Sequence, residues 1–334
     1  MKQLRVYLML LLVATLAFFS IAGMAQREDG PIRRWLLERR NSRQPPAEDP
    51  TSGDLVKGAL SHGGVSRTYY IYTPPAKSDR PLPLVLVFHG GHANAMRMAS
   101  ITAMHELARE KGFIVVYPEA ISTDRVWNDG RSTTMSDFDD VAFTSALINH
   151  LKNTENVDRN RIYATGASNG GVFTLRLACE MSDKIAAFAP VVANLPVDLK
   201  SKCQPERPVP ILMIHGNKDN MMPWGGGEVA GNGGTVISAT DTVNFWVDKN
   251  GCSPRSEVKE LPDSDPNDGT RVESIRYAAC RGDSEVIELL VKGGGHTWPG
   301  TSKEPRLRRS GGTSRDINAS KVIWSFFQQH ALSK

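Results

Sequence analysis

Three uninterrupted apolar runs constrain this 334-residue chain more than any other feature: LPLVLVF before His89, FIVVY before Pro118 and PILMI before His215. Each is too short for a buried helix. Each is apolar at successive positions, as expected of a strand covered on both faces. Between and around them the period lengthens to that of a helix. ANAMRMASITAMHELAREKG reads as one helix stopping at Gly112, DDVAFTSALINHL as a second and GGVFTLRLACEMSDK as a third. Further strands are expected in RTYYIYTP, which would open the sheet, and in RIYATG, IAAFAPVVA and EVIELLVKG. TDTVNFWVDKN and the terminal NASKVIWSFFQQH complete the helices. This alternation predicts an α/β protein with a doubly wound, mostly parallel sheet and helices on both faces.

The N-terminus follows a different pattern. MKQLR is a short basic segment, VYLMLLLVATLAFFSIAG is apolar, and GMA before Gln26 offers small residues for a signal peptidase. Residues 1–25 are therefore expected to be a signal peptide, with an uncleaved anchor as the alternative. Residues 26–53, arginine-rich and then proline-rich, read as an extension or linker, and 54–334 as a single catalytic domain. Export to a secreted or periplasmic location follows, with no stable membrane insertion after cleavage. The formal charge of +4 falls close to neutral once Lys2 and Arg5 are removed, and no basic stripe is interleaved with aromatics. Nucleic acid is not an expected partner. Cys179, Cys203, Cys252 and Cys280 allow three pairings in an oxidising compartment, of which the sequential one closes the shortest loops.

Chemistry centres on Gly166-Ala167-Ser168-Asn169-Gly170, a G-x-S-x-G sequence between a strand and a helix. Small residues two before and two after the serine let strand and helix approach closely and lift the hydroxyl above the sheet edge. A serine attacks only when a base takes its proton. In this kind of turn the acid and then the histidine follow in chain order. Only His296 and His330 lie far enough along, and His330 sits on the terminal helix. His296, in a glycine-rich loop after a strand, is the expected base. Asp219, three residues after Gly216, is the expected acid, and Asp198 is its rival. Asp139 and Asp140 precede the serine and open a helix, where capping is their natural role.

An oxyanion needs backbone donors. The N–H of Asn169 and that of Gly91, or its neighbour His92, are placed to supply them. His89, His92 and His215 read as structural. HELAR at His105 fails the H-E-x-x-H pattern and no other metal spacing occurs, so no metal or cofactor is expected. Trp127, Trp224 and Trp298 lie in loops on the expected catalytic side and are candidates for lining an apolar cleft, core packing being the alternative for each.

HGG, DDVAF, RIYATGASNGG, HGNKD, WVDKNGC and GGGHTWPG, in this order over about residues 54–332, resemble the poly(3-hydroxybutyrate) depolymerase and feruloyl esterase group of α/β-hydrolases, similar to carbohydrate esterase family 1. The resemblance implies an α/β-hydrolase fold and an exported serine esterase acting through an acyl-enzyme. It implies Ser168, Asp219 and His296 as triad, disulfides 179–203 and 252–280, and small or oligomeric ester substrates: oligo-3-hydroxybutyrate, or feruloyl or acetyl sugars. An acyltransferase on the same triad is the alternative reaction. The group's separate polymer-binding domain has no counterpart here, and the arginine-rich extension lies outside the shared pattern.

Overall fold

The computed structural model describes residues 54–75, 79–122, 124–231, 233–302 and 311–333. The expected signal peptide and the extension over 26–53 lie outside the described residues. Strands β1 (Val56–His62), β2 (Val65–Tyr72), β3 (Leu82–Phe88), β4 (Ile114–Pro118), β5 (Val157–Ala167), β6 (Ala187–Val191) and β7 (Ile211–Gly216) are followed by a small hairpin, β8 (Gly227–Glu228) and β9 (Thr235–Val236). Then come β10 (Ser256–Glu260), β11 (Arg271–Tyr277) and β12 (Val286–Lys292). All but the hairpin form one ten-stranded sheet in the order β1-β2-β4-β3-β5-β6-β7-β12-β11-β10. The six central strands from β4 to β12 run parallel, while β1, β2, β10 and β11 pair antiparallel at the two edges.

The uninterrupted apolar runs occupy the middle of this sheet because their side chains must be covered on both faces. Leu84, Leu86 and Phe88 face one core, and Val85 and Val87 face the other. The first core is closed by helices α3 (Asp140–Thr154), α4 (Asn169–Glu180) and α6 (Ala239–Asn250). The second is closed by α1 (Ala95–Thr102), α2 (Met104–Lys111) and α7 (Ala319–Phe327), and a four-residue α5 spans Val197–Lys200. This is the doubly wound architecture that the alternation predicts, in a single domain of the α/β-hydrolase fold.

Three expectations need correcting. RTYYIYTP does not open the sheet: a preceding strand, β1, turns through Gly63 and Gly64 and pairs with it, Val56 opposite Ile71. The single helix over 93–112 is two, because Ala103 takes a left-handed conformation (φ 47°) that ends α1 and begins α2. The sheet also continues past β12 through two polar strands, SEVKE and RVESIRY, that the apolar pattern does not mark. Cys179 is bonded to Cys203 and Cys252 to Cys280, the sequential pairing. Among the described residues, no helix is long and apolar enough to cross a membrane.

Candidate active site

Aligned strand ends create the site. Phe88 lies opposite Gly166, Ala167 opposite Val191, Val191 opposite Ile214 and Gly216 opposite Val291, so β3, β5, β6, β7 and β12 end at one edge of the sheet. The carboxyl edge of a parallel sheet is where ligands bind in open α/β folds. The loops after four of these strands carry Gly91, Ser168, Asp219 and His296.

Ser168 stands between β5 and α4 with φ 57° and ψ −124°, a strained conformation for a non-glycine residue. Its N–H donates to Val191 O at 3.0 Å, and its C=O accepts from Val172 at 2.8 Å. These bonds hold the turn while the side chain caps nothing. The tightness explains the flanking glycine: a Cβ on Gly166 would lie 2.5 Å from Gly170 O and 2.8 Å from Phe88 O. The first N–H groups of α4 have no partner within the helix and favour negative charge there.

Asp219 and His296 meet at the same edge. His296 Nδ1 donates to Asp219 Oδ2 at 2.7 Å. The other carboxylate oxygen accepts from the N–H groups of Met221 and Met222, both at 2.8 Å. The two loops are stitched together beneath this pair. Lys218 N donates to Gly294 O at 2.8 Å, and Gly293 N to Asn217 Oδ1 at 2.8 Å. Gly216 permits the approach, since a Cβ there would lie 2.5 Å from Gly294 O.

The loop after β3 covers the serine turn. A Cβ on Gly90 would sit 3.4 Å from Ser168 Cβ, and one on Gly91 3.6 Å from Asn169 Cβ. The N–H of His92 is spent on Arg125 O at 3.3 Å, which leaves Gly91 as the candidate donor of the two. His89 shapes this loop. Its Nδ1 donates to Gly90 O at 2.8 Å, and its Nε2 accepts from Ala120 N at 3.1 Å. Burial pushes the ring down to about 4, although the Gly90 bond acts the other way. His89 is therefore neutral near pH 7, and the 3.6 Å approach of Glu119 to its Nε2 is not an ion pair.

The other candidate histidines and acids have structural partners. His215 is buried between Glu288 Oε1 (2.8 Å) and Ala193 O (3.1 Å). His330 lies at the opposite end of β5, where Tyr163 donates to its carbonyl and Glu285 approaches its ring at 3.2 Å. Asp198 accepts from Ser132 N at 2.9 Å, which holds its carboxyl below the usual range. Asp139 caps α3 by accepting from Ala142 N. Asp140, expected to cap, does not: it is the first helical residue, and it pairs with buried Arg67 at 2.7 Å and accepts from Asn128 N at 2.8 Å.

Two of the three tryptophans are core residues. Trp127 is 0% exposed, stacked on Phe173 with centroids 5.2 Å apart and edge-on to Phe88. Trp298 is buried against α7, its Nε1–H donating to Ser320 Oγ at 3.1 Å. Neither ring offers a substrate a surface, because each completes the packing under a loop. Trp224 is half-buried, edge-on to His215 at 5.9 Å, and lines a small recess with Asp219 and Met222.

Sequence reasoning missed a buried polar cluster behind Asn169. The Asn169 carboxamide accepts from Trp127 N at 2.8 Å and donates to Trp127 O at 3.0 Å and to Asp129 Oδ2 at 2.7 Å. Asp129 also takes bonds from Arg131 Nε and Nη2 and from Thr134 Oγ1. The only available signal was two opposite charges two residues apart in NDGR, a spacing that marks no particular structure.

Comparison with known proteins points to esterases. Residues 67–196 match the family model described as esterase PHB depolymerase. NocK of Nocardia uniformis subsp. tsuyamanensis, named as a candidate esterase, is 29% identical over 85% of this chain and 84% of its own. Feruloyl esterase B of Piromyces equi is 32% identical over 65% of this chain, which spans 40% of that enzyme's length. An acetyl xylan esterase from Aspergillus awamori superposes with a TM-score of 0.55 at 15% identity, over 81% of this chain and 98% of its own, a likeness of fold. The match over residues 67–196 and these relatives mark the chain as a carboxylic ester hydrolase.

Proposed function

We propose that the protein cleaves esters of short or aromatic acids through a serine acyl-enzyme, and that it acts after export. The carrying observation is the 2.7 Å Asp219–His296 bond at the same sheet edge as the strained Ser168 turn. With Nδ1–H held by Asp219, the basic nitrogen of His296 is Nε2, the atom that would take the Ser168 proton. The Ser168 oxygen adds to the ester carbonyl, and the resulting oxyanion is held by the N–H groups of Asn169 and Gly91. Collapse expels the alcohol, which leaves with the proton from His296. Water, deprotonated by the same ring, then releases the acid and restores the serine. Two disulfides suit an oxidising compartment.

Sugar esters of acetic or hydroxycinnamic acid are the favoured substrates, because relatives are named feruloyl and acetylxylan esterases. Soluble hydroxybutyrate oligomers are the second class, from the name of the matching family. The test is kcat/KM on methyl ferulate, an acetylated xylo-oligosaccharide, a hydroxybutyrate trimer and a long-chain lipid ester. A tenfold preference for the lipid ester, about 1.4 kcal/mol of transition-state binding, would overturn the assignment.

A further inference from the structure

The cluster behind Asn169 is built at a cost. Asp129 is 0% and Arg131 4% exposed, and burying two charges is expensive unless every lone pair and proton is satisfied. Here they are satisfied from within their own loop and by Asn169 and Gly233. Asp129 accepts from Arg131 Nε at 3.0 Å and Nη2 at 2.5 Å, Thr134 Oγ1 at 2.6 Å and Asn169 Nδ2 at 2.7 Å. The same loop is clamped elsewhere. Asn128 N donates to Asp140 Oδ2, and Arg176 Nη1 donates to both oxygens of Asn128, each at 2.8 Å.

The far side of the pair leads to the acid. Arg131 Nη1 donates to Gly233 O, in the turn between β8 and β9. From that hairpin Ala230 N donates to Met221 O at 3.0 Å, and Met221 N donates to Asp219 Oδ1 at 2.8 Å. A path of hydrogen bonds and hairpin backbone, with Gly233 N bonded to Val229 O, therefore joins the residue after Ser168 to the carboxylate that holds His296.

We propose that Asp129 and Arg131 are a positioning pair for the reaction: through the Asn169 carboxamide they fix the peptide whose N–H binds the oxyanion. This rests on the serine-esterase reading above. Arg131 is needed as much as Asp129, because an uncompensated carboxylate behind Asn169 would oppose negative charge developing in front of it. A preorganised donor must keep its place while charge develops, and displacement by about 1 Å can cost on the order of 100-fold in rate.

The experiment measures kcat and KM per active site for Asp129→Asn and Thr134→Val in the full mature chain. Active sites are counted by end-point labelling with a fluorophosphonate. The expected result for Asp129→Asn is a 10- to 100-fold loss of kcat per labelled site with KM changed less than threefold. Thr134→Val, which removes the hydroxyl's contacts with Asp129 Oδ1 and Arg131 O but no charge, should lose about three- to tenfold. Asn169→Asp places two carboxylates together, and adding Asp129→Asn to it should recover part of its lost kcat. A purely structural pair would lower Tm and the labelled fraction but leave kcat per site within twofold of wild type, and that result overturns the proposal. If Asp129→Asn does not fold, unchanged kcat per site in Thr134→Val overturns it equally. Ser168→Ala is the separate control: residual activity there defeats the esterase mechanism, whereas an inactive Ser168→Ala beside a normal Asp129→Asn defeats only this inference.

Discussion

His296 Nδ1 lies 2.7 Å from Asp219 Oδ2, although 77 residues separate them, and the other oxygen of the carboxylate is held by two backbone N–H groups of its own loop. That second pair of bonds keeps the carboxylate in one orientation and thereby selects the ring tautomer with its proton on Nδ1. Asp219→Asn would keep the shape but could hold the ring in the wrong tautomer. A loss of roughly 10⁴-fold in kcat is expected, with Tm nearly unchanged. Steady-state kinetics with a p-nitrophenyl ester and a thermal melt check this. A loss below tenfold would remove Asp219 from its role.

The two late histidines give opposite expectations. His296 is held by Asp219 as the base for Ser168, so His296→Ala should be inactive. His330, bonded at the far end of β5, should tolerate alanine with kcat/KM within about twofold of wild type, an expectation set by its distance from the reacting groups. Equal damage from both substitutions would contradict the assignment.

The tryptophans separate stability from binding. Trp127→Ala empties a fully buried site and should cost about 3–5 kcal/mol in urea unfolding. Trp224→Ala, at a half-buried ring beside Asp219, should leave the urea midpoint nearly unchanged and alter KM instead. A KM effect from Trp127→Phe without loss of stability would return that ring to the substrate.

His89 makes part of the stability pH-dependent. Its ring, lowered from 6.5 to about 4 by burial, is refused a proton that the unfolded chain accepts. The unfolded state therefore binds more protons between those values. Stability is intact above pH 6.5 and falls as the pH drops towards 4, by about 3 kcal/mol at the lower end. Urea midpoints at pH 7 and 4.5 should show the fall in wild type and a shallower one in His89→Gln. Parallel falls would place the effect elsewhere.

Much of this is legible in the chain, and the exceptions have physical causes. The central strands announce themselves because burial on two faces demands unbroken apolar runs, as in LVLVF and ILMI. The edge strands β10 and β11 do not, because a strand beyond the covering helices need bury neither face: SEVKE is exposed at all five positions. The break at Ala103 is silent because alanine favours helix and only the fold forces φ to 47°. Ser168 is legible through its glycines, which are needed wherever strand and helix nearly touch. Asp129 and Arg131 are not, since their partners Asn169 and Gly233 lie 40 and 102 residues away in the sequence.

The disulfides lend themselves to a direct check. Each closes a loop, with sequence separations of 24 and 28 residues, worth roughly 3 kcal/mol in the chain-entropy view. Mass spectrometry of an unreduced digest should return 179–203 and 252–280, and reduction should lower the urea midpoint. Free thiols in protein made in an oxidising compartment would contradict the pairing.

The central claim is that Ser168 forms the acyl-enzyme, and one measurement reaches it most directly. The purified protein is treated with a fluorophosphonate, digested, and the adduct mapped by mass spectrometry, with Ser168→Ala alongside. The account predicts one label per chain, on Ser168, and a Ser168→Ala protein that folds, takes no label and loses about 10⁶-fold in kcat. A label on another residue, or more than a few per cent of the activity left in Ser168→Ala, would contradict it.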